Sequence, residues 1–229
     1  MWAAATGVTP AWPSIADMAR PHTGLFVAFE GGDGAGKSTQ VRLLAGTLRA
    51  AGLDVLETRQ PGGTELGMRL RDLVLHGDHV SPRAEALLYA TDKAHHVDTV
   101  IAPALADGRV VVTDRYVDSA IAYQGAGRDL GSDEVATIQR WAVGGLVPDL
   151  TVVLDVPAGT GRSRRGDVHD RLEAEDDTFH EAVRAHFLAL AAAEPDRYLV
   201  VDATLPAEEI HARVVARLRD HGLSLEEGA

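Results

Sequence analysis

The sequence has no cysteine. Disulfide bonds, thiolate metal sites and cysteine nucleophiles are therefore excluded, and the composition suits a reducing compartment such as the cytoplasm. Positive charge is also scarce: 22 Lys and Arg side chains stand against 34 Asp and Glu side chains, and the net charge is −12. Binding to nucleic acid or to an anionic membrane needs a broad basic surface, so we expect neither partner.

Long hydrophobic runs are missing as well. No apolar stretch reaches the roughly 18 residues that a membrane-spanning helix needs. Residues 1–23 have neither the basic start nor the continuous apolar core of a secretory signal, and they contain Pro10, Pro13 and Pro21. We expect a poorly ordered extension ahead of the first strand, although an initiation codon assigned too far upstream explains the segment equally well.

Beyond this extension, short apolar runs alternate with segments of helical periodicity. The predicted strands are residues 25–30, 54–58, 109–113, 150–155 and 198–202. The predicted helices are residues 40–49, 65–75, 84–106, 133–143, 178–193 and 206–221, with Pro103 bending or ending the third. This order predicts an α/β fold in one domain, residues 24–229, with an open five-stranded parallel sheet and helices on both faces. Ligands of such sheets bind beyond the carboxyl ends of the strands.

The segment from Gly31 to Ser38 matches the phosphate-binding pattern G-x-x-x-x-G-K-[ST], and it lies between the first strand and the first helix. Its glycines allow backbone N–H groups to converge on phosphate oxygens, Lys37 can bridge two phosphates, and Ser38 can ligate Mg²⁺. The residues expected around the bound phosphates are Gly31, Gly32, Asp33, Gly34, Ala35, Gly36, Lys37, Ser38 and Thr39. The alternative is a glycine-rich turn between two core elements.

Polar clusters also follow the second and third strands. Arg59 directly follows the second strand, where a guanidinium can bind a phosphate in bidentate fashion, or can be an ordinary surface arginine. Asp114 and Arg115 follow the third strand, where an acid can hold the water shell of Mg²⁺, or the pair can be a structural salt bridge. Tyr123 and Gln124, a little further on, can be site residues or packing residues.

A third cluster holds four arginines within ten positions: Arg162, Arg164, Arg165 and Arg171. The segment is polar and flanked by glycine, which is typical of a flap rather than a core element. Such a flap, residues 159–176, can close over phosphates and neutralise the charge of the transition state. The alternative is a solvated basic loop.

The order of these motifs resembles the thymidylate kinases of the bacterial type, a family of P-loop nucleoside monophosphate kinases. The specific segments are Thr58 to Thr64 (TRQPGGT) and Ala122 to Arg128 (AYQGAGR), in register with the phosphate-binding loop. The resemblance covers nearly all of the chain after the N-terminal segment. It implies a three-layer P-loop fold with a short arginine-rich lid, ATP-dependent phosphorylation of dTMP to dTDP in dTTP synthesis, Mg²⁺, and a cytoplasmic homodimer.

The resemblance also assigns roles to individual residues. Asp33 matches the acid that faces the nucleoside 3′-hydroxyl, and Arg59 matches the arginine that positions the acceptor phosphate. Tyr123 matches the aromatic residue beside the sugar 2′ carbon, and Tyr89 the one that stacks on thymine, although Tyr89 also fits a core position. The implied dTMP site comprises Asp33, Arg59, Tyr89, Lys93, Arg115, Ser119, Tyr123 and Gln124, and the implied Mg²⁺ site comprises Ser38 and Asp114.

This chain departs from the family pattern at two positions. Lys93 occupies the place of an arginine that bonds a thymine carbonyl, and a lysine lacks the planar fork of a guanidinium. Gly34 stands where some relatives carry a catalytic arginine within the loop, so the lid arginines are expected to supply that charge. The expected catalytic set is Lys37, Arg59, Arg115, Arg162, Arg164 and Arg165.

Two other functions remain open from the sequence. One is a kinase for another deoxynucleotide or for a nucleoside. Such a kinase transfers the phosphoryl group to a different acceptor. The other is a regulatory P-loop NTPase, which requires a group that positions water. The sequence contains no N-K-x-D motif, so guanine selectivity of the switch type is not expected.

Overall fold

The computed structural model describes residues 22–164, 171–220 and Leu223. Five strands form one parallel sheet in the order β2-β3-β1-β4-β5. They are β1 (Leu25–Gly31), β2 (Val55–Arg59), β3 (Val110–Asp114), β4 (Leu150–Asp155) and β5 (Tyr198–Asp202). The prediction of a five-stranded parallel sheet is confirmed. Nearly all of the predicted N-terminal extension lies outside the described residues, as do Arg165 and part of the predicted lid.

Helices connect the strands. They are α1 (Lys37–Ala50), α2 (Glu65–His76), α3 (Pro82–His96, continued by Val97–Ile101 and Ala102–Ala106), α4 (Val117–Ala120, continued by Ile121–Gly127), α5 (Ser132–Ala142), α6 (Ala158–Arg164), α7 (Asp177–Ala193) and α8 (Ala207–Asp220). Thr64 caps α2 by accepting a hydrogen bond from the Gly67 N–H, and Asp176 caps α7 in the same way through the Phe179 N–H. No helix in the described ranges is long and apolar enough to cross a membrane.

The apolar side chains of β1 point alternately to the two faces of the sheet, and helices cover both faces. Val27 and Phe29 point to one face, where they pack in a cluster with residues of α1 and α8. Phe26 and Ala28 point to the other face and pack in a cluster with residues of α3 and α4. All four side chains are fully buried, as expected for a central strand of a sheet covered on both sides. The three-layer architecture is thereby confirmed.

The helix around Pro103 differs in part from the prediction. It does not end at Pro103 but continues to Ala106. Just before the proline, Val97–Ile101 forms a π-helical turn in which the Ala102 N–H bonds the Val97 carbonyl. Proline has no N–H to offer, and its ring crowds the carbonyl one turn earlier, so a wider turn accommodates it within a continuous helix.

Two short helices were not predicted, and both lie beside the phosphate-binding loop. The α4 segment directly follows β3 and carries Ser119, Tyr123 and Gln124 on one short helical stretch. The α6 helix forms the beginning of the predicted flap, and its Gly161 is buried. A Cβ atom at Gly161 would lie 2.6 Å from the Asp33 carbonyl oxygen, so glycine permits α6 to approach the loop closely.

Candidate active site

The phosphate-binding loop connects the carboxyl end of β1 to the first turn of α1. Gly31, Gly34 and Gly36 have φ angles of 130°, 79° and 91°, which L side chains rarely adopt. At Gly34 there is no space either, because a Cβ atom would lie 2.3 Å from the Gly161 carbonyl oxygen. The loop therefore depends on glycine both for its backbone conformation and for its contact with α6.

Lys37 lies inside this loop. Its side chain is 7% exposed, and its Nζ donates hydrogen bonds to the carbonyl oxygens of Gly31 at 3.1 Å and Gly32 at 2.8 Å. Burial lowers the pKa of the Lys37 ammonium to about 8, so it stays mostly protonated at neutral pH. The loop thus encloses a cation beside N–H groups at a helix N-terminus, which is an environment for phosphate.

The Ser38 hydroxyl donates a hydrogen bond to the Asp114 carboxylate. Both groups border the cavity in front of the loop, and both offer oxygen ligands. Within the described ranges there is no cluster of three or more His, Asp or Glu residues that could enclose a metal ion. This pair fits Mg²⁺, which binds through one or two protein oxygens and completes its octahedron with phosphates and water.

In front of the loop lies a cavity of about 380 Å³, which we call the phosphate cavity. Its basic lining residues are Lys37, Arg59, Arg71, Arg115 and Arg164. Arg59 is exposed at the end of β2, and none of the described carboxylates pairs with it. Arg164 borders the same cavity and donates a hydrogen bond to the Ala203 carbonyl at 2.7 Å.

Arg162 does not border this cavity. Its guanidinium donates to the Glu175 carbonyl at 3.2 Å and forms an ion pair with Asp177 at 2.8 Å. The two arginines of α6 thus differ in position. Arg164 lies at the phosphate cavity, whereas Arg162 connects α6 to the start of α7.

Arg115 connects several groups of the site. Its backbone has a φ of 69°, and its guanidinium donates to the Ser119 hydroxyl at 2.8 Å and to the Gly31 carbonyl at 3.1 Å. It also forms an ion pair with Asp33. The Gly31 carbonyl therefore accepts hydrogen bonds from both Arg115 and Lys37.

Behind Arg115 lies Glu30, a residue that the sequence reasoning missed. Its carboxylate is fully buried and accepts hydrogen bonds from the backbone N–H groups of Tyr116 and Ser119 and from the Ser119 hydroxyl. Burial raises the pKa of Glu30 to about 7, and the nearby Asp118 carboxylate adds to the effect. Glu30 thus fixes the start of α4 and, through Ser119, the guanidinium of Arg115. An acidic residue at the end of an otherwise apolar strand was the available signal.

A second cavity of about 120 Å³, which we call the nucleoside cavity, adjoins the first. Tyr89 and Lys93 of α3 line it, as do Tyr123 and Gln124 of the α4 segment. The Tyr123 hydroxyl donates a hydrogen bond to the Asp33 carboxylate at 2.7 Å, and its ring lies 5.1 Å from the Arg115 guanidinium carbon. The structure therefore places all eight residues of the expected dTMP site on one or both of the two cavities.

Lys93 is only 2% exposed, and its ammonium lies 5.3 Å from the centroid of the Tyr89 ring. Burial lowers the pKa of Lys93 to about 8, so the side chain carries a proton and a charge at neutral pH. No described residue accepts a hydrogen bond from this ammonium. A buried donor of this kind favours a hydrogen-bond acceptor on whatever occupies the cavity.

The sequence reasoning also missed several residues that line the two cavities. Gln60 and Arg71 border both cavities, and Leu172 and Glu173, near the end of the predicted lid, line the nucleoside cavity. Gln60 is part of the TRQPGGT segment and could have been named from it. Arg71 carried no motif, because it reaches the cavities only through the packing of α2.

Comparison with known proteins gives a consistent result. The family model described as thymidylate kinase matches residues 29–214. The chain is 57% identical over 200 residues to a thymidylate kinase of Leifsonia xyli subsp. xyli, a match that covers 85% of this chain and 94% of that protein. It is 55% identical over 199 residues to one from Clavibacter michiganensis subsp. michiganensis, covering 85% and 94%. It is also 55% identical over 197 residues to one from Cutibacterium acnes, covering 85% and 96%.

Proposed function

The chain belongs to the thymidylate kinase family, and we propose that it transfers the γ-phosphoryl group of ATP to dTMP, forming dTDP for dTTP synthesis. One observation carries this proposal beyond family membership. The nucleoside cavity and the phosphate cavity share Asp33, Gln60, Arg71 and Arg115 as lining residues. A nucleoside monophosphate whose base occupies the smaller cavity therefore presents its phosphate to the larger one, beside the phosphate-binding loop.

The reaction depends on neutralising the negative charge of the phosphates and does not need a general base. The attacking oxygen of the acceptor phosphate is already anionic near neutral pH, so no side chain has to remove a proton from it. Bringing two polyanions together is the main obstacle, and cations that border the phosphate cavity reduce their repulsion. We assign this role to Lys37, Arg59, Arg115 and Arg164, with Arg165 as a further lid cation. Arg162, which was also expected in this set, pairs with Asp177 instead, so we assign it no direct contact with the phosphates.

The donor and the acceptor are bound by different elements. The loop from Gly31 to Thr39 binds the ATP phosphates, and Ser38 and Asp114 hold Mg²⁺, which neutralises phosphate charge when it is bound. Asp33 and Tyr123 position the deoxyribose. The Tyr89 ring, the Lys93 ammonium and the Gln124 amide contact the base.

A panel of acceptors tests this function. We expect ATP-dependent turnover to be highest with dTMP among dTMP, dUMP, dCMP, dGMP and thymidine in a coupled assay. Lys37→Met should abolish transfer to dTMP while leaving the thermal unfolding midpoint close to that of the parent protein. Preferred phosphorylation of thymidine would support a nucleoside kinase, and ATP hydrolysis without any phosphorylated acceptor would support an NTPase. Near-normal turnover of Lys37→Met would remove the loop lysine from the mechanism.

We also propose a homodimer in the cytoplasm, with residues 24–229 as one domain and residues 159–176 as its lid. Support for the dimer comes from apolar side chains on helices that pack together. Leu87 of α3 is 54% exposed, Trp141 of α5 is 62% exposed and Met68 of α2 is 53% exposed. Exposed apolar surface of this kind marks protein interfaces. Sedimentation velocity at micromolar concentration should show a dimer that Leu87→Glu dissociates, and a monomeric parent protein would refute the proposal.

A further inference from the structure

Glu85 is buried behind the nucleoside cavity, in the first turn of α3. Its side chain is 0% exposed, yet it does not line the cavity itself. Two arginines neutralise it: Arg171 forms an ion pair with one carboxylate oxygen, and the Arg128 Nε lies 3.5 Å from the other. Both carboxylate oxygens therefore face guanidinium donors, so Glu85 serves here as an acceptor of hydrogen bonds.

The carboxylate of Glu85 also contacts Gln124. The Gln124 Nε2 donates a hydrogen bond to the Glu85 Oε1 at 2.9 Å. A primary amide has one donor end and one acceptor end, and an acceptor-only partner fixes which end faces it. The NH₂ end of Gln124 therefore points to Glu85, and its carbonyl end is directed away from Glu85. Gln124 is 1% exposed and lines the nucleoside cavity, where no described residue donates to its Oε1.

The cavity consequently combines one fixed acceptor with one fixed donor. The acceptor is the Gln124 Oε1, and the donor is the Lys93 ammonium. Thymine and uracil carry a complementary pattern, because N3–H is a donor and O4 is an acceptor. Cytosine carries the reverse pattern, with an unprotonated N3 acceptor and an N4 amino donor, so both contacts are unfavourable. A buried polar group that loses its partner costs more than the hydrogen bond itself contributes.

We infer that Glu85 is a specificity-determining positioning residue: it fixes the amide of Gln124 so that the nucleoside cavity accepts pyrimidines with an N3–H and rejects cytosine. This inference rests on the proposed function. It adds a residue that touches no substrate and acts only through Gln124.

The test is the ratio of kcat/KM for dTMP to kcat/KM for dCMP. Glu85→Gln has the length of the parent side chain but can turn either end of its own amide toward Gln124, so the orientation of Gln124 is no longer fixed. We expect the ratio to fall about tenfold, the effect of one oriented hydrogen bond. Arg128→Gln is the matched control, because it removes a cation from the same carboxylate and leaves the hydrogen bond to Gln124. We expect it to lower the thermal unfolding midpoint and leave the ratio unchanged.

A double-mutant cycle separates positioning from general damage. Gln124→Met removes both ends of the amide and should by itself lower the ratio about tenfold. Adding Glu85→Gln to it should lower the ratio no further. A folded Glu85→Gln enzyme whose ratio stays within twofold of the parent value overturns the inference. The inference also fails if Glu85→Gln lowers the ratio as much in the Gln124→Met background as it does in the parent protein. If Glu85→Gln does not fold, an unchanged ratio in Gln124→Met still overturns the inference, because Glu85 acts only through Gln124.

The parent enzyme separates this inference from the function on which it rests. If it phosphorylates no pyrimidine monophosphate, the proposed function fails before any variant is made. If it prefers dTMP and the ratio does not respond to Glu85 or Gln124, only the present inference fails.

Discussion

Replacing Gly34 by alanine tests how closely α6 packs against the phosphate-binding loop. Three loop glycines form a graded series. At Gly32, φ lies outside the left-handed region and no atom comes within 4 Å of an added Cβ. At Gly36, φ is 91° but the space around the Cβ is open. At Gly34, φ is 79° and the added Cβ lies 2.3 Å from the backbone oxygen of Gly161.

These differences predict a graded loss of stability. Gly32→Ala should change the free energy of unfolding by less than about 0.5 kcal/mol. Gly36→Ala should lower it by about 1–2 kcal/mol, the cost of a left-handed alanine. Gly34→Ala carries the same conformational cost and also forces α6 or the loop to move, which adds about 1–3 kcal/mol. We therefore expect a loss of roughly 2–5 kcal/mol for Gly34→Ala.

Urea unfolding without nucleotide measures the three variants against the parent protein, since the prediction concerns the protein alone. Turnover measurements should then show the largest defect in Gly34→Ala as well, because a displaced loop no longer directs its N–H groups at phosphate. Equal stability of Gly34→Ala and Gly36→Ala would show that Gly161 does not restrain the loop. The inferred close packing of α6 against the loop would then be wrong.

Two further predictions concern the lid and the buried carboxylate. Arg164→Met should lower kcat on the order of 10²-fold, because Arg164 borders the phosphate cavity. Arg162→Met should change kcat less than about threefold, because Arg162 pairs with Asp177 instead. Steady-state kinetics with dTMP compares the two variants, and equal losses of kcat would contradict the distinction. Glu30 has a pKa raised to about 7 by burial, so the stability that it contributes is complete below pH 4.5 and is lost as the pH rises through 7. The free energy of unfolding of the parent protein, relative to Glu30→Gln, should therefore fall between pH 5 and pH 8 in urea melts, and a constant difference would refute the assigned pKa.

The strands and the phosphate-binding loop could be predicted because their signals are local. Apolar β-branched runs such as Val110 to Val112 favour a buried strand regardless of context. The glycine and lysine positions of the loop follow from the chemistry of phosphate binding. The N-cap at Thr64 was predictable for the same reason, since a cap depends on residues within one turn.

The parts that escaped prediction depend on contacts distant in sequence. Glu30, Arg71 and Glu85 lie in segments whose local pattern gives only a strand or a helix. Each acquires its role through a partner brought near by the fold, such as Ser119 for Glu30 or Gln124 for Glu85. The separation of Arg162 from Arg164 could not be predicted either, because it depends on how α6 is oriented relative to α7.

The shared carbonyl of Gly31 has a consequence for changing the substrate of this enzyme. Because Lys37 and Arg115 both donate to that one main-chain oxygen, the separation of these two cations is set by the backbone. The nucleoside cavity, by contrast, is lined by side chains that include those of α3 and α4. Substitutions in the nucleoside cavity can therefore change the groups that a ligand meets there without moving the backbone oxygen that holds Lys37 and Arg115.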